Sequence, residues 1–215
     1  MYNTVIFDLD GTLLDTLADL TAAVNHTMAQ FGYPTHTQEA VRRFVGNGIR
    51  NLIERAVPGR LEPAQFQEVY AAFRTYYTAH CQVETKAYDG VLPLLRALHS
   101  RGVSMAIVSN KNDAAVKELA KLYFDGLIDT AIGGQEGMRL KPAPDSVNRA
   151  MAELGADRNH TLYVGDSEVD QATADNASLA CVLVDWGFRA RAELEPLGAK
   201  AVISAPGALL RVLED

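Results

Sequence analysis

Val5-Ile6-Phe7-Asp8-Leu9-Asp10-Gly11-Thr12-Leu13 decides how the rest of the chain is read. Three apolar, β-favouring residues run into an aspartate and stop at Asp10-Gly11, the pattern of a buried strand ended by a turn. The same form recurs at Val103 to Val108 before Ser109-Asn110, at Thr161 to Val164 before Gly165-Asp166, at Cys181 to Val184 before Asp185, and at Ala201 to Ile203 before Ser204. Helix-period segments around 91–101, 113–123, 145–154 and 168–179 lie between these runs. That βαβα alternation predicts an α/β protein with a doubly wound parallel sheet, whose ligands bind beyond the carboxyl ends of the strands. Polar residues stand at those ends: Asp8 and Asp10, Ser109 and Asn110, Asp166.

One stretch breaks the alternation. Residues 15–88 carry only helical patterns (Leu17 to Phe31, Thr37 to Ala56, Pro63 to His80), separated by Gly32-Tyr33-Pro34 and Pro58-Gly59-Arg60, before Tyr88-Asp89-Gly90 signals a turn back. The expected division is a core of 1–14 plus 89–215 and a small inserted α-helical domain of 15–88. No internal repeat or low-complexity tract interrupts either part.

Composition narrows the function. The 215-residue chain is 48% hydrophobic and 22% charged, which excludes disorder and coiled coil and needs no disulfide staples. Its net charge of −7 disfavours the phosphate backbone of nucleic acid and anionic lipid faces, so neither nucleic acid nor membrane is expected as a partner. No segment approaches the length of a membrane span, and Met1 to Asp8 lacks the basic and apolar regions of a secretory signal. Cys81 and Cys181 form no CxxC pattern, which points to a reduced, cytoplasmic setting. The five histidines show no ligand spacing and read as surface or packing residues.

Asp8 and Asp10, two apart on an extended segment, direct their carboxylates to one side. Like charges that close favour keeping one protonated unless a cation intervenes, an arrangement suited to one nucleophile or ligand and one proton donor. Gly11 lets the chain turn at once, leaving N–H groups near Gly11 and Thr12 to hold an anion; an Asp-rich solvated turn reads equally well. Asp166 in Gly165-Asp166-Ser167-Glu168-Val169-Asp170 can face Asp8 across adjacent strand ends, and three hard carboxylates suit Mg²⁺. Helix capping by Asp166 or Ser167 is the alternative. Ser109 and Asn110 offer a phosphate seat before a helix starting near Asp113, or simply cap it. Pro142 keeps Lys141 extended, where its ammonium could be aimed inward at a phosphoryl group or stand solvated in a loop. Trp186 reads as core or rim packing, and Lys111, a cation opposing a helix dipole, is either held by some other partner or touches the substrate.

Taken together these four elements carry a resemblance. Asp8-Leu9-Asp10-Gly11-Thr12-Leu13, Ser109-Asn110, Lys141-Pro142, and Gly165-Asp166-Ser167 with Asp170 resemble the four motifs of the haloacid dehalogenase superfamily of phosphohydrolases, over nearly the whole chain. Gly46-Asn47-Gly48 with Leu52 and Glu54-Arg55-Ala56, Ser109-Asn110-Lys111, and Val184-Asp185-Trp186-Gly187 are most similar to its phosphoglycolate phosphatases. Ser178 stands where many relatives have glycine after alanine, and Ser109 where threonine is common.

The resemblance implies a Rossmann-like core with the helical insert as its cap, and a Mg²⁺-dependent phosphatase of a small phosphorylated metabolite, acting as a monomer or homodimer. Asp8 is then the nucleophile that forms an aspartyl-phosphate, and Asp10 the general acid and base. Asp8, the Asp10 carbonyl and Asp166 hold the metal. Asp170 orients a metal-bound water or Lys141, while Gly11, Thr12, Ser109, Asn110 and Lys141 bind the phosphoryl group. The Gly46-Asn47-Gly48 element of the cap, Asn47 with it, is expected over the leaving group or else is a plain helix-helix turn. Arg50, two residues beyond it, is in reach of a substrate carboxylate, although the resemblance itself places no arginine there. A phosphosugar mutase or a pyrophosphatase of the same superfamily is the alternative. A true dehalogenase needs neither Asp10 nor Asp166, and a signalling receiver domain is about half this length and lacks the insert.

Overall fold

The computed structural model describes residues 1–46 and 48–214 of the chain. They divide into two compact units, Met1–Leu14 with Ala87–Asp215, and Asp15–Lys86. The chain passes between them at two two-residue strands, β2 (Leu14–Asp15) and β3 (Lys86–Ala87). Tyr88 belongs to the first unit, because its N–H donates to Leu13 O at 3.1 Å and its ring packs against the α/β core.

That unit is built on six parallel strands: β1 (Thr4–Phe7), β4 (Ser104–Asn112), β5 (Thr130–Gly134), β6 (Thr161–Gly165), β7 (Ala180–Val184) and β8 (Ala201–Ile203). They lie in the order β5-β4-β1-β6-β7-β8. β1 is central, with Thr4 opposite Ser104 and Thr161 and Phe7 opposite Ile107 and Val164. All four of its residues are buried, and they alternate between faces: Val5 and Phe7 join one apolar cluster and Ile6 the other. Helices α5 (Val91–Ser100), α6 (Asp113–Phe124) and α10 (Leu209–Val212) cover the Phe7 face. Helices α7 (Asp145–Leu154), α8 (Glu168–Asn176) and the short α9 (Arg191–Leu194) cover the Ile6 face. The strand order reverses beside β1, which places a crevice at the carboxyl ends of β4, β1 and β6.

Two differences from the sequence reading have physical causes. β5 escapes a hydrophobicity pattern, because in Thr-Ala-Ile-Gly-Gly only Ile132 is a large apolar residue. Its glycines are steric: a Cβ on Gly133 would lie 2.5 Å from Asp113 Cα, and one on Gly134 2.8 Å from a Leu140 methyl. β4 runs on past Val108 through a register shift to Asn112, so Asn112 caps α6 by accepting from Ala114 N at 3.1 Å. Ser109 and Asn110 are therefore not helix caps.

The second unit holds α1 (Leu17–Gln30), α2 (Gln38–Phe44), α3 (Gly48–Ala56) and α4 (Pro63–His80). Leu20, Ala23, Val24 and Met28 form the buried stripe of α1, and Phe66, Val69, Phe73 and Tyr77 that of α4. The segment 37–56 reads as one helical pattern but splits at an extended Val45 followed by Gly46 at φ 131°. Asp19 is buried in the first turn of α1 and accepts from Glu84 N (2.9 Å), Thr85 N (2.9 Å) and the Thr85 hydroxyl (2.8 Å). Among the described residues, no helix is long and apolar enough to cross a membrane.

Candidate active site

β1 ends at Phe7, but its pairing with β6 continues one residue further, where Asp8 N donates to Val164 O at 2.8 Å. Leu9 O then accepts from Leu13 N and Leu14 N at 3.0 and 2.9 Å, and the chain folds back through Gly11 at φ 90°. This turn corrects the anion seat expected at Gly11 and Thr12. Gly11 N–H is committed to Leu14 O at 2.9 Å, Thr12 N leans on Leu9 O at 3.4 Å, and the Thr12 hydroxyl reaches Asp166 Oδ1 at 3.4 Å. Within the described residues, the amides of Leu9 and Asp10 are the ones in this turn that meet no acceptor.

Lys141 is the hub of the crevice. Pro142 follows it through a cis peptide bond. Its ammonium, almost fully buried, donates to Asp8 Oδ1 (2.7 Å), Asp170 Oδ1 (2.8 Å) and the Tyr163 hydroxyl (3.1 Å). Burial works against the charge, but Asp170 and Asp8 outweigh it and hold the lysine well above its ordinary range. Asp170 takes four donors: Lys141 and Tyr163 OH (3.0 Å) on Oδ1, Ser167 Oγ (2.6 Å) and Asp166 N (3.2 Å) on Oδ2. Burial resists its ionisation too, yet Lys141 and these bonds keep its pKa below the usual carboxylate value. Its lone pairs are thereby occupied, which makes it the brace of Lys141. Tyr163, missed in the sequence, completes this brace; the only signal was a phenol in a run of strand core three residues before Asp166.

Asp8 and Asp166 are differently placed. Burial above all pushes the Asp8 carboxyl up to about 7, with Lys141 offsetting part of the rise and Asp170 adding to it. Burial also drives Asp166 well above its ordinary range, helped by Asp170 and Asp8 and opposed by the Phe188 N–H. Carboxylate oxygens of Asp8, Asp166 and Asp170 lie within 4.8 Å of one another. One ammonium thus faces three buried carboxylates, an excess of negative charge that a low-dielectric crevice does not tolerate without a cation. Asp8 Oδ2 takes no hydrogen bond within the described residues, and Asp166 Oδ1 only the long one from Thr12. Hard, incompletely bonded carboxylate oxygens fit Mg²⁺.

The opposite wall comes from the bulged end of β4. Lys111 Nζ pairs with Asp10 Oδ1 at 2.8 Å, and Ser109 Oγ donates to Asp10 Oδ2 at 3.4 Å while accepting from Lys111 N at 3.2 Å. Lys111 is itself buried, so the partner that its place in the sequence called for is Asp10. Asn110 departs from a simple substrate contact. Its side-chain amide accepts from Lys141 N (2.7 Å) and donates to Lys141 O (3.0 Å), fastening the backbone of the lysine. Trp186 packs, partly buried, against the apolar core as expected, and its Nε1 also donates to Thr12 O at 3.0 Å. In the helical unit, Asn47 lies outside the described residues. Arg50 is engaged there with Glu54 at 3.0 Å and with the face of Phe66 at 4.6 Å.

Known proteins resemble this chain in sequence and in fold. The family model described as haloacid dehalogenase-like hydrolase matches residues 5–184. A phosphoglycolate phosphatase of Cereibacter sphaeroides is 37% identical over 86% of this chain and 86% of its own. That of Mesorhizobium japonicum is 35% identical over 93% and 89%, and that of Aquifex aeolicus 30% identical over 98% and 96%. The crystal structure of a candidate phosphoglycolate phosphatase from Lactobacillus delbrueckii subsp. bulgaricus superposes with a TM-score of 0.95 at 35% identity, covering 99% of this chain and 98% of that one.

Proposed function

From the premise that this chain belongs to the haloacid dehalogenase-like hydrolases and is a phosphoric monoester hydrolase, we propose that it cleaves a small phosphomonoester, phosphoglycolate or a close analogue, through an aspartyl-phosphate with Mg²⁺ bound. The single observation that carries the mechanism is the imbalance around Asp8: buried, bonded to Lys141 through Oδ1, and with Oδ2 uncommitted.

Asp8 attacks phosphorus in line with the ester oxygen; the new O–P bond forms as the bond to the leaving oxygen breaks. Asp10, held by Lys111 and Ser109, gives its proton to that oxygen. In the second displacement a water attacks the phosphoryl group, Asp10 takes the water's proton, and Asp8 is regenerated with release of inorganic phosphate. Lys141 and the free Leu9 and Asp10 amides stabilise the equatorial oxygens. Asp8, Asp166 and the Asp10 carbonyl would hold Mg²⁺, which supplies charge neutralisation between nucleophile and phosphate when bound. Asp170, Tyr163 and Asn110 keep Lys141 in place. Phosphoglycolate is favoured as substrate by relatives 30–37% identical over most of their length.

A turnover panel tests this reading. Phosphoglycolate, sugar phosphates, nucleotides and pyrophosphate are supplied with Mg²⁺ or with EDTA, and released phosphate is measured. Highest kcat/KM for phosphoglycolate, abolished by EDTA, is the expected result. Full turnover in chelator overturns the metal assignment. Preference for pyrophosphate, or phosphoryl return to a second sugar hydroxyl instead of release, overturns the substrate class.

A further inference from the structure

The segment after β7, Asp185-Trp186-Gly187-Phe188-Arg189, is not part of the proposed chemistry, yet three of its residues are tied to Asp166 or to the segments that flank the aspartate cluster. Trp186 Nε1 donates to Thr12 O at 3.0 Å, which fixes the turn that carries Asp8 and Asp10. Phe188 N donates to Asp166 Oδ2 at 2.7 Å. Arg189 grips Glu168, two residues beyond Asp166, with Nε and Nη2 on its two carboxylate oxygens at 2.9 and 3.0 Å.

Gly187 lies between these ties without room for a side chain. A Cβ there would lie 2.5 Å from both Cβ and Oδ2 of Asp166 and would collide with Gly11 O. From the other side, a Cβ on Gly11 would fall 2.8 Å from Asp166 Cγ and 2.8 Å from the Phe188 ring. The Asp166 carboxylate is thus wedged between two glycines of different loops, with one oxygen locked by Phe188 and the other left toward Thr12. Gly187 has no positive φ, so its backbone does not require glycine; the neighbours do.

We propose that Trp186–Arg189 is a positioning strap that sets the orientation of the Asp166 carboxylate and, through it, the affinity of the site for a divalent cation. The inference rests on Asp166 being a metal ligand. Groups that orient a ligating carboxylate usually change metal affinity by about 10- to 100-fold when lost.

Metal-free full-length protein is titrated with Mn²⁺ and free ion is read by electron paramagnetic resonance, with circular dichroism melting as the check on folding. Gly187→Ala is expected to weaken Mn²⁺ binding by about 10-fold or more. Trp186→Phe keeps an aromatic ring, loses the bond to Thr12, and is expected to weaken it several-fold. A folded Gly187→Ala protein that binds Mn²⁺ as the wild type does overturns the strap. Should Gly187→Ala fail to fold, Trp186→Phe decides by the same criterion. Asp166→Asn separates the two readings: if it retains wild-type affinity, the metal assignment falls, whereas if it loses the ion while both strap variants keep it, only the strap falls.

Discussion

Asp8→Asn should do two opposite things, and their pH dependence is calculable. Phosphatase turnover should fall by several orders of magnitude, as nucleophile deletions do. In EDTA, however, the variant should be the more stable protein at alkaline pH. Burial raises the Asp8 carboxyl from 3.8 to about 7. At about 1.4 kcal/mol per tenfold change, holding it ionised inside the fold costs about 4 kcal/mol. The asparagine has no such cost, and what the bond from Lys141 gives back is already contained in the value of about 7. The net gain at pH 8 is therefore about 4 kcal/mol, or roughly 8–16 °C in Tm for a chain of this size.

The sign follows from proton counting. Between 3.8 and about 7 the folded wild type binds more protons at Asp8 than the unfolded chain does, so its stability falls as pH rises through that window. Asparagine does not titrate, so the difference should be small near pH 5 and grow toward pH 8. Thermal melts in EDTA at half-unit pH steps measure it. Saturating Mg²⁺ should shrink or reverse the difference, because the ion stabilises the wild type more than a variant that has lost one of its carboxylates. A Tm difference that stays constant from pH 5 to pH 8 in EDTA would refute the argument that burial of this carboxylate is what strains the metal-free site.

Asp170→Asn should destabilise the α/β unit by about 2–4 kcal/mol, because an amide cannot accept from Lys141, Tyr163, Ser167 and Asp166 N together; urea denaturation within about 0.5 kcal/mol of wild type would contradict it. Asn110→Ala releases the Lys141 backbone and should cost at least about 10-fold in kcat with a smaller change in KM, while Asn110→Asp, which can still accept from Lys141 N, should recover part of the loss. If both variants turn over at the wild-type rate, the clamp has no part in placing the ammonium.

The parts of the site legible in the sequence are those where local pattern and function coincide. Asp8, Ser109 and Asp166 each end an apolar run, and the strand ends that collect them follow from the βα alternation. Roles set by tertiary placement were not legible. Lys111 lies two residues past Ser109, but only the bulge at the end of β4 turns it onto Asp10. Tyr163 is indistinguishable from core until Lys141, 22 residues before it, reaches its hydroxyl. The N–H groups of Gly11 and Thr12 looked available because a glycine turn exposes backbone; this turn closes on Leu14 and Leu9 instead. Thr130–Gly134 was missed because glycine there answers to the approach of α6, a demand that no single-strand pattern carries.

The position of β1 in the chain has a consequence for synthesis. This strand is the centre of the sheet and is made before the strands it pairs with, for one neighbour begins at Ser104 and the other at Thr161. At about 5–20 residues per second, roughly 8–30 s separate its appearance from that of β6. Until β4 appears, roughly 5–20 s after β1, Val5, Ile6 and Phe7 have neither of their final partners, and until β6 appears only one, whereas the apolar cluster of the Asp15–Lys86 helices is drawn from one continuous segment. The nascent chain therefore offers an unpaired apolar strand ahead of a unit whose own apolar cluster is already complete in the chain, and the holding of that strand out of aggregation falls to whatever meets the polypeptide as it emerges.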